Sequence, residues 1–165
     1  MKQNLEETTL QFKDRTDIQE IEEGHTLSPK FGADGLIPVV TTDYTTGEVL
    51  MLGYMNRAAL KKTLLLKEAV YYSRSRKTLW HKGKESGFIQ KVKEIRIDDD
   101  QDSLWLRVAL TGASCHVGYR SCFFRSIPID PLNLTPNNQI TLKFEETEKV
   151  FDPTTVYKTP NPTQI

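Results

Sequence analysis

Cysteine is nearly missing from this chain: there are two in 165 residues, Cys115 and Cys122. So few cannot staple a small secreted scaffold, and without a signal segment they fit a reducing compartment. The N-terminal run MKQNLEETTLQFKDRTD lacks the apolar core of a secretory signal. No apolar stretch approaches the roughly 20 residues that cross a bilayer. A cytoplasmic location with no membrane partner is therefore expected. An excess of charge is missing too: basic and acidic residues number 22 each, for a net charge of zero. No overall positive field draws the chain to nucleic acid. Repeats and low-complexity tracts are absent. What remains is ordinary globular composition, 27% charged and 38% hydrophobic, in a chain long enough for one core.

Residues 1–29 read as a polar N-terminal extension that holds one short helix or frays, and residues 30–128 as the main domain. Residues 129–165 read as a C-terminal extension whose last residues, TPNPTQI, are disordered. Leu36–Thr42 is rich in β-branched residues and reads as a strand, with Pro38 at an edge or strand start. Thr45-Thr46-Gly47 marks a turn, and Val49–Met55 reads as the returning strand. Asn56 suits a cap for a helix from Arg57 to about Lys67, with Leu60 and Leu64 on one face. Ala69–Arg74 reads as a strand and Ser73–Gly87 as a basic loop. Phe88–Ile97 alternates moderately, with Ile89 out of phase. In Leu104–Leu110, Leu104, Leu106, Val108 and Leu110 alternate with Trp105, Arg107 and Ala109, a period of two. Ile140–Phe144 reads as one more strand. The expected fold is mainly β with one or two helices, a β-rich α+β domain.

Candidate ligands concentrate between residues 98 and 122. Asp98, Asp100 and Asp102 are spaced by two, so on an extended chain they share one face and Asp99 points to the other. Three carboxylates on one side favour a divalent cation; the other reading is a solvated acidic turn. An EF-hand loop is excluded, since its sixth and twelfth positions hold Ser103 and Ala109. Cys115 and Cys122 fit a metal pair or two small buried hydrophobes. His116 beside them, the flexibility of Gly112 and Gly118, and the cations Arg120 and Arg125 favour the first. His116 suits a ligand, an acid–base group or a structural role. In the basic loop, Arg74, Arg76 and Lys82 with Ser73, Ser75 and Trp80 suit a phosphate, or are a solvated surface.

Several runs taken together are similar to the phosphoribosyl-AMP cyclohydrolase family of histidine biosynthesis. They are Lys30-Phe31 with Gly35-Leu36-Ile37-Pro38, Gly47 to Leu52, Tyr54-Met55-Asn56, Ser73 to Arg76, Leu79 to Gly83 with Ser86-Gly87, Gln90-Lys91-Val92, and Cys115-His116 with Gly118 to Phe124. They cover about residues 30–125 in unbroken order. The resemblance implies a hydrolase that opens the purine ring of N1-(5-phosphoribosyl)-AMP between N1 and C6. It implies one zinc per subunit, a magnesium site, and an intertwined homodimer with shared active sites. It assigns Asp98, Asp100 and Asp102 to magnesium, Cys115 and Cys122 to zinc, and His116 to catalysis. Arg74, Arg76, Lys82 and Arg120 are the candidates for the substrate's phosphates. One position departs: the family's acidic run is Asp-Cys-Asp-x-Asp, and the third zinc cysteine is Asp99 here. Asp keeps the negative charge but is a harder ligand. This leaves open a second reading, a metal-altered or non-catalytic paralogue acting as a metal-responsive binding protein.

Overall fold

The computed structural model describes Glu6 and residues 9–157 and is organised by the hairpin expected near the start of the main domain. Strand β1 (Ile37–Asp43) pairs antiparallel with β2 (Val49–Met55) through the Thr45–Gly47 turn, where the Asp43 carboxylate accepts the N–H groups of Thr45 and Thr46, each at 2.8 Å. Asn56 caps helix α2 (Arg57–Leu66) by accepting the Ala59 N–H at 2.8 Å, and Lys67 ends it at a left-handed φ of 55°. The buried face of α2 is Ala59, Leu60 and Thr63; Leu64, one turn beyond Leu60, lies at the rim of that face and is 36% exposed. The Thr63 hydroxyl bridges the N–H and C=O of Val70 and so sets which side of the helix faces β3 (Val70–Ser73).

The segment expected to be a loop from Ser73 to Gly87 contains a strand, β4 (Thr78–His81), paired antiparallel with β3. Its two apolar residues, Leu79 and Trp80, are masked in the sequence by flanking cations. Trp80 packs against Tyr71 with ring centres 5.8 Å apart, and that contact orders the hairpin. Strands β5 (Gln90–Ile97) and β6 (Leu104–Leu110) pair antiparallel, and β6 joins β1 in parallel, giving the sheet order β2-β1-β6-β5. The β6 alternation appears as expected: Leu104, Leu106, Val108 and Leu110 enter the core with Ile37, Val39, Leu50 and Tyr71. On the opposite face Pro38, Val40, Leu52 and Trp105 line an open depression of about 310 Å³.

The flanks are more ordered than the sequence alone indicates. Helix α1 (Ile18–Glu23), capped by Asp17, sits in an arm held by Gln101. The buried Gln101 amide accepts the Ser28 N–H at 2.7 Å and donates to the Ile21 carbonyl at 2.8 Å. The strand expected at Ile140–Phe144 is reduced to β8 (Lys143–Phe144), paired with β7 (Arg125–Ser126). A short helix, α3 (Pro153–Val156), follows, and the TPNPTQI tail lies outside the described residues. Among the described residues, no helix is long and apolar enough to cross a membrane.

Candidate active site

The thiol loop begins where β6 ends. Ser114 N–H bonds to the Arg120 carbonyl at 2.8 Å, Cys115 N–H to Tyr119 at 3.1 Å, and Gly118 N–H back to Cys115 at 3.0 Å. Gly118 has a φ of +105°, which a side chain tolerates poorly. These bonds fold the chain on itself and bring Cys122 against Cys115. Residues 121–122 are then pinned to β2: Ser121 Oγ donates to the Val49 carbonyl and Cys122 N–H to that of Leu50, both at 2.7 Å. Cys115 is buried beside Tyr119 and Phe124, and Cys122 is exposed. The Cys122 thiol hydrogen-bonds to Cys115, which brings the Cys115 thiol down to about 6 against the burial that opposes it. The same contact pushes the Cys122 thiol up. The pair thus gives up one proton readily and holds the second, which a soft dication would displace.

Lys82 is buried and donates its ammonium to the Ser114 carbonyl. Its charge reaches both thiols. His116 lies at the loop surface; partial burial of the ring, and then Lys82, lower its proton affinity from the ordinary histidine value. Its imidazole is therefore neutral at neutral pH and free to accept a proton.

The acidic turn lies at the other end of β6. Asp98, Asp100 and Asp102 each offer an oxygen within 4.8 Å of the others, as the spacing implies, but the extended conformation behind that expectation is replaced by a tight turn. The Asp98 carboxylate accepts the N–H groups of Asp102 and Ser103, both at 2.9 Å, and the Ser103 hydroxyl at 2.6 Å. Burial alone would raise the Asp98 carboxyl; those hydrogen bonds outweigh it and hold it low. Asp102 is raised, by desolvation first and then by its neighbours Asp98 and Asp100. The Lys30 ammonium lies 3.8 Å from Asp100 and 3.9 Å from Asp102. Gln101 turns the chain at a φ of 59°, and Asp99 is exposed. Because the seven-residue β6 separates Asp99 from Cys115, the two sit at opposite ends of a strand that spans roughly 20 Å. Among the described residues, Asp99 does not join the cysteines in a single-chain cluster.

The four candidate phosphate ligands divide. Arg74 and Arg76 are exposed at the tip of the β3–β4 hairpin, with guanidinium groups 4.1 Å from the Tyr54 ring centre and 5.7 Å from that of Trp80. Lys82 and Arg120 already have acceptors within the protein. Arg120 donates to Glu48 at 2.7 Å and to Asp43 at 2.8 Å, which ties the thiol loop to the β1–β2 turn.

Two groups beside the loop escape a reading of the sequence. Gln90, fully buried, accepts from the Tyr71 hydroxyl at 2.7 Å and donates to Ser114 Oγ at 3.1 Å, joining the core to the residue before Cys115. A lone Gln at a strand start carries no such signal. Glu146, in the C-terminal extension, accepts the N–H groups of Arg120 and Ser121 at 2.9 and 3.0 Å. Its neighbours in sequence, Glu145-Glu146-Thr147-Glu148, look like any solvated acidic run.

Fold and site together define a β-rich domain bearing a paired-thiol loop and a carboxylate turn, an arrangement suited to cation-assisted hydrolysis. The chain belongs to the phosphoribosyl-AMP cyclohydrolase family. That family's sequence model matches residues 51–124. A protein of Rhodopseudomonas palustris strain BisB5 with the name phosphoribosyl-AMP cyclohydrolase is 50% identical over 140 residues, covering 85% of this chain and 92% of its own. One of the same name from Bradyrhizobium diazoefficiens is 48% identical over 139 residues, covering 84% of this chain and 95% of its own.

Proposed function

We propose that this family member hydrolyses N1-(5-phosphoribosyl)-AMP, a step of histidine biosynthesis, at a site built by two copies of the chain. Its activity follows from the family to which it belongs. The observation that carries the shared site is the separation of Asp99 and the cysteines by the length of β6. The open sheet face lined by Pro38, Val40, Leu52 and Trp105 supplies apolar surface for such a homodimer.

The donor chemistry fits a transition metal. Two thiols in mutual contact form a soft pair, one of them readily deprotonated, and the exposed carboxylate of Asp99 from the second copy adds a third anionic ligand. Cys115, Cys122 and the second copy's Asp99 would hold an ion, zinc in the family pattern, which would supply Lewis acidity toward attack of water on C6 of the purine. Asp98, Asp100 and Asp102, whose oxygens lie within 4.8 Å of one another, would hold the magnesium ion. His116, neutral and at the loop surface, takes the proton lost by the attacking water and returns it to N1 as the N1–C6 bond breaks. The remaining hydroxyl proton leaves as the C6 carbonyl forms, so the oxygen of water stays on C6 in a carboxamide whose nitrogen is the former exocyclic amine. Such proton transfer contributes typically about 10²–10⁴-fold.

Arg74 and Arg76 bind phosphate: both are exposed at the hairpin tip, Arg76 donating its Nε–H to the Ser73 hydroxyl at 3.3 Å, whereas Lys82 is buried on a carbonyl and Arg120 is held by two carboxylates. Arg74→Ala and Arg76→Ala should each raise KM about tenfold, with metal content unchanged, since a charge-assisted contact of this kind is local. Steady-state kinetics on the substrate checks this, and unchanged constants in both variants return the hairpin tip to a solvated surface.

Turnover of N1-(5-phosphoribosyl)-AMP, measured with the metal content of the same preparation, tests the reading as a whole. Stoichiometric metal without turnover would favour the metal-responsive binding protein. Asp99 sets which ion is held. Asp99→Cys, restoring a soft ligand, should slow zinc loss to a chelator by about tenfold or more. An unchanged rate removes Asp99 from the ligand set.

A further inference from the structure

We infer that Glu146, with the C-terminal strap of residues 145–157 behind it, is a positioning residue for the thiol loop; its effect on turnover rests on the reading that this loop carries the reaction. The loop from Ser114 to Cys122 has no regular secondary structure, so its shape depends on partners elsewhere in the chain. Toward β2 those partners are the Val49 and Leu50 carbonyls. Lys82 and Gln90 hold Ser114, and Glu48 and Asp43 hold the Arg120 side chain. The backbone from Gly118 to Ser121 is held by the strap. The Glu146 carboxylate takes the N–H groups of Arg120 and Ser121, one with each oxygen. These are the two residues immediately before Cys122. Val150 N–H donates to the Gly118 carbonyl at 2.7 Å, at the middle of the loop.

The fit at Gly118 is close: a Cβ there would collide with the carbonyl oxygen of Phe151. Phe151 in turn packs on Phe88, with ring centres 5.1 Å apart, and Phe88 lies over Gly112, the turn that leads from β6 to Cys115. The strap therefore contacts the loop at Gly118, Arg120 and Ser121, between the cysteines, and reaches the turn before Cys115 through Phe88. Its first residues are fixed by bonds from the Glu145 and Glu146 N–H groups to the Phe124 carbonyl, at 2.9 and 3.3 Å. Two N–H groups on adjacent residues, aimed at one carboxylate, set the chain direction entering Cys122. Groups that orient metal-bearing side chains typically contribute about 10–100-fold to affinity or activity when removed. Glu146 makes no bond to either thiol; its charge opposes ionisation of both, and its two bonds to Arg120 and Ser121 are what set the shape of the loop.

The test uses the full chain, with and without metal. In metal-free Glu146→Ala, hydrogen exchange at the Arg120 and Ser121 amides should quicken about tenfold or more while β1 and β6 stay protected. Reaction of buried Cys115 with a thiol reagent should quicken with it. In the loaded protein kcat should fall about 10–100-fold with KM within about twofold. Glu146→Gln keeps one acceptor oxygen and should be intermediate in all three readouts; a purely electrostatic role would make it equal to alanine. Phe151→Ala loosens the strap without touching the loop, and should repeat the alanine result in smaller degree even if Glu146→Ala folds poorly. Unchanged exchange and thiol reactivity in Glu146→Ala and Phe151→Ala overturn the inference, as does undiminished kcat in an active protein. A wild type that fails to turn over the substrate while the exchange effects appear would refute the enzymatic reading and leave the positioning role standing.

Discussion

Cys115→Ser and Cys122→Ser are each expected to reduce turnover to below about one-thousandth of the wild-type rate, because residues that act as one unit fail together. Each substitution exchanges a soft sulfur for a hard, neutral hydroxyl. In the free protein the two thiols are matched to each other: one is readily deprotonated because the other donates to it. A serine on either side breaks that relation as well as removing a ligand. Transition-metal content should fall in parallel. The fold should survive, since Cys122 is exposed and Cys115 lies in a small cluster with Tyr119 and Phe124 that accepts an isosteric residue. Circular dichroism and metal analysis on the same samples separate loss of site from loss of structure. Full activity in either serine variant would sink the metal assignment for that cysteine.

How much of this was legible in the sequence depends on the range of the interactions. Strand β6 and the α2 cap were readable because their determinants lie within a few residues: a period of two, and a side chain three positions from the N–H it accepts. Strand β4 was not, because Leu79 and Trp80 become a strand only through a hairpin partner. The acidic cluster was expected for the wrong local reason. Its oxygens converge through a turn that Gln101 fixes from an N-terminal arm 73 residues away from it in sequence, not through strand alternation. Lys82 and Arg120 are residue types that suit phosphate. What occupies them is a carbonyl 32 residues distant and carboxylates 72 and 77 residues distant. Single long-range contacts of that kind leave no periodic trace. Residue chemistry named the candidate groups; topology decided which of them had partners already.

Topology also yields the sharpest test of the shared site. Asp99 precedes β6 and Cys115 follows it, so a straight strand holds them apart within one chain. Across a two-fold axis each chain would lend Asp99 to its partner's cysteines and receive the partner's carboxylate in return. Asp99→Ala and Cys122→Ser chains, each inactive alone, should then complement when mixed and refolded. Random pairing makes half the dimers mixed. In a mixed dimer one site combines the intact Asp99 with the intact cysteine pair, and the other site carries both defects. Activity should recover to about a quarter of the wild-type level by symmetry. Should Asp99→Ala retain turnover on its own, Asp99→Lys places a cation against the ion and serves in its stead. Native mass spectrometry of differently tagged chains measures how many mixed dimers form. Abundant mixed dimers with no recovered activity would return the whole site to a single chain and require the segment from Thr111 to Ser114 to fold the cysteines back toward Asp99.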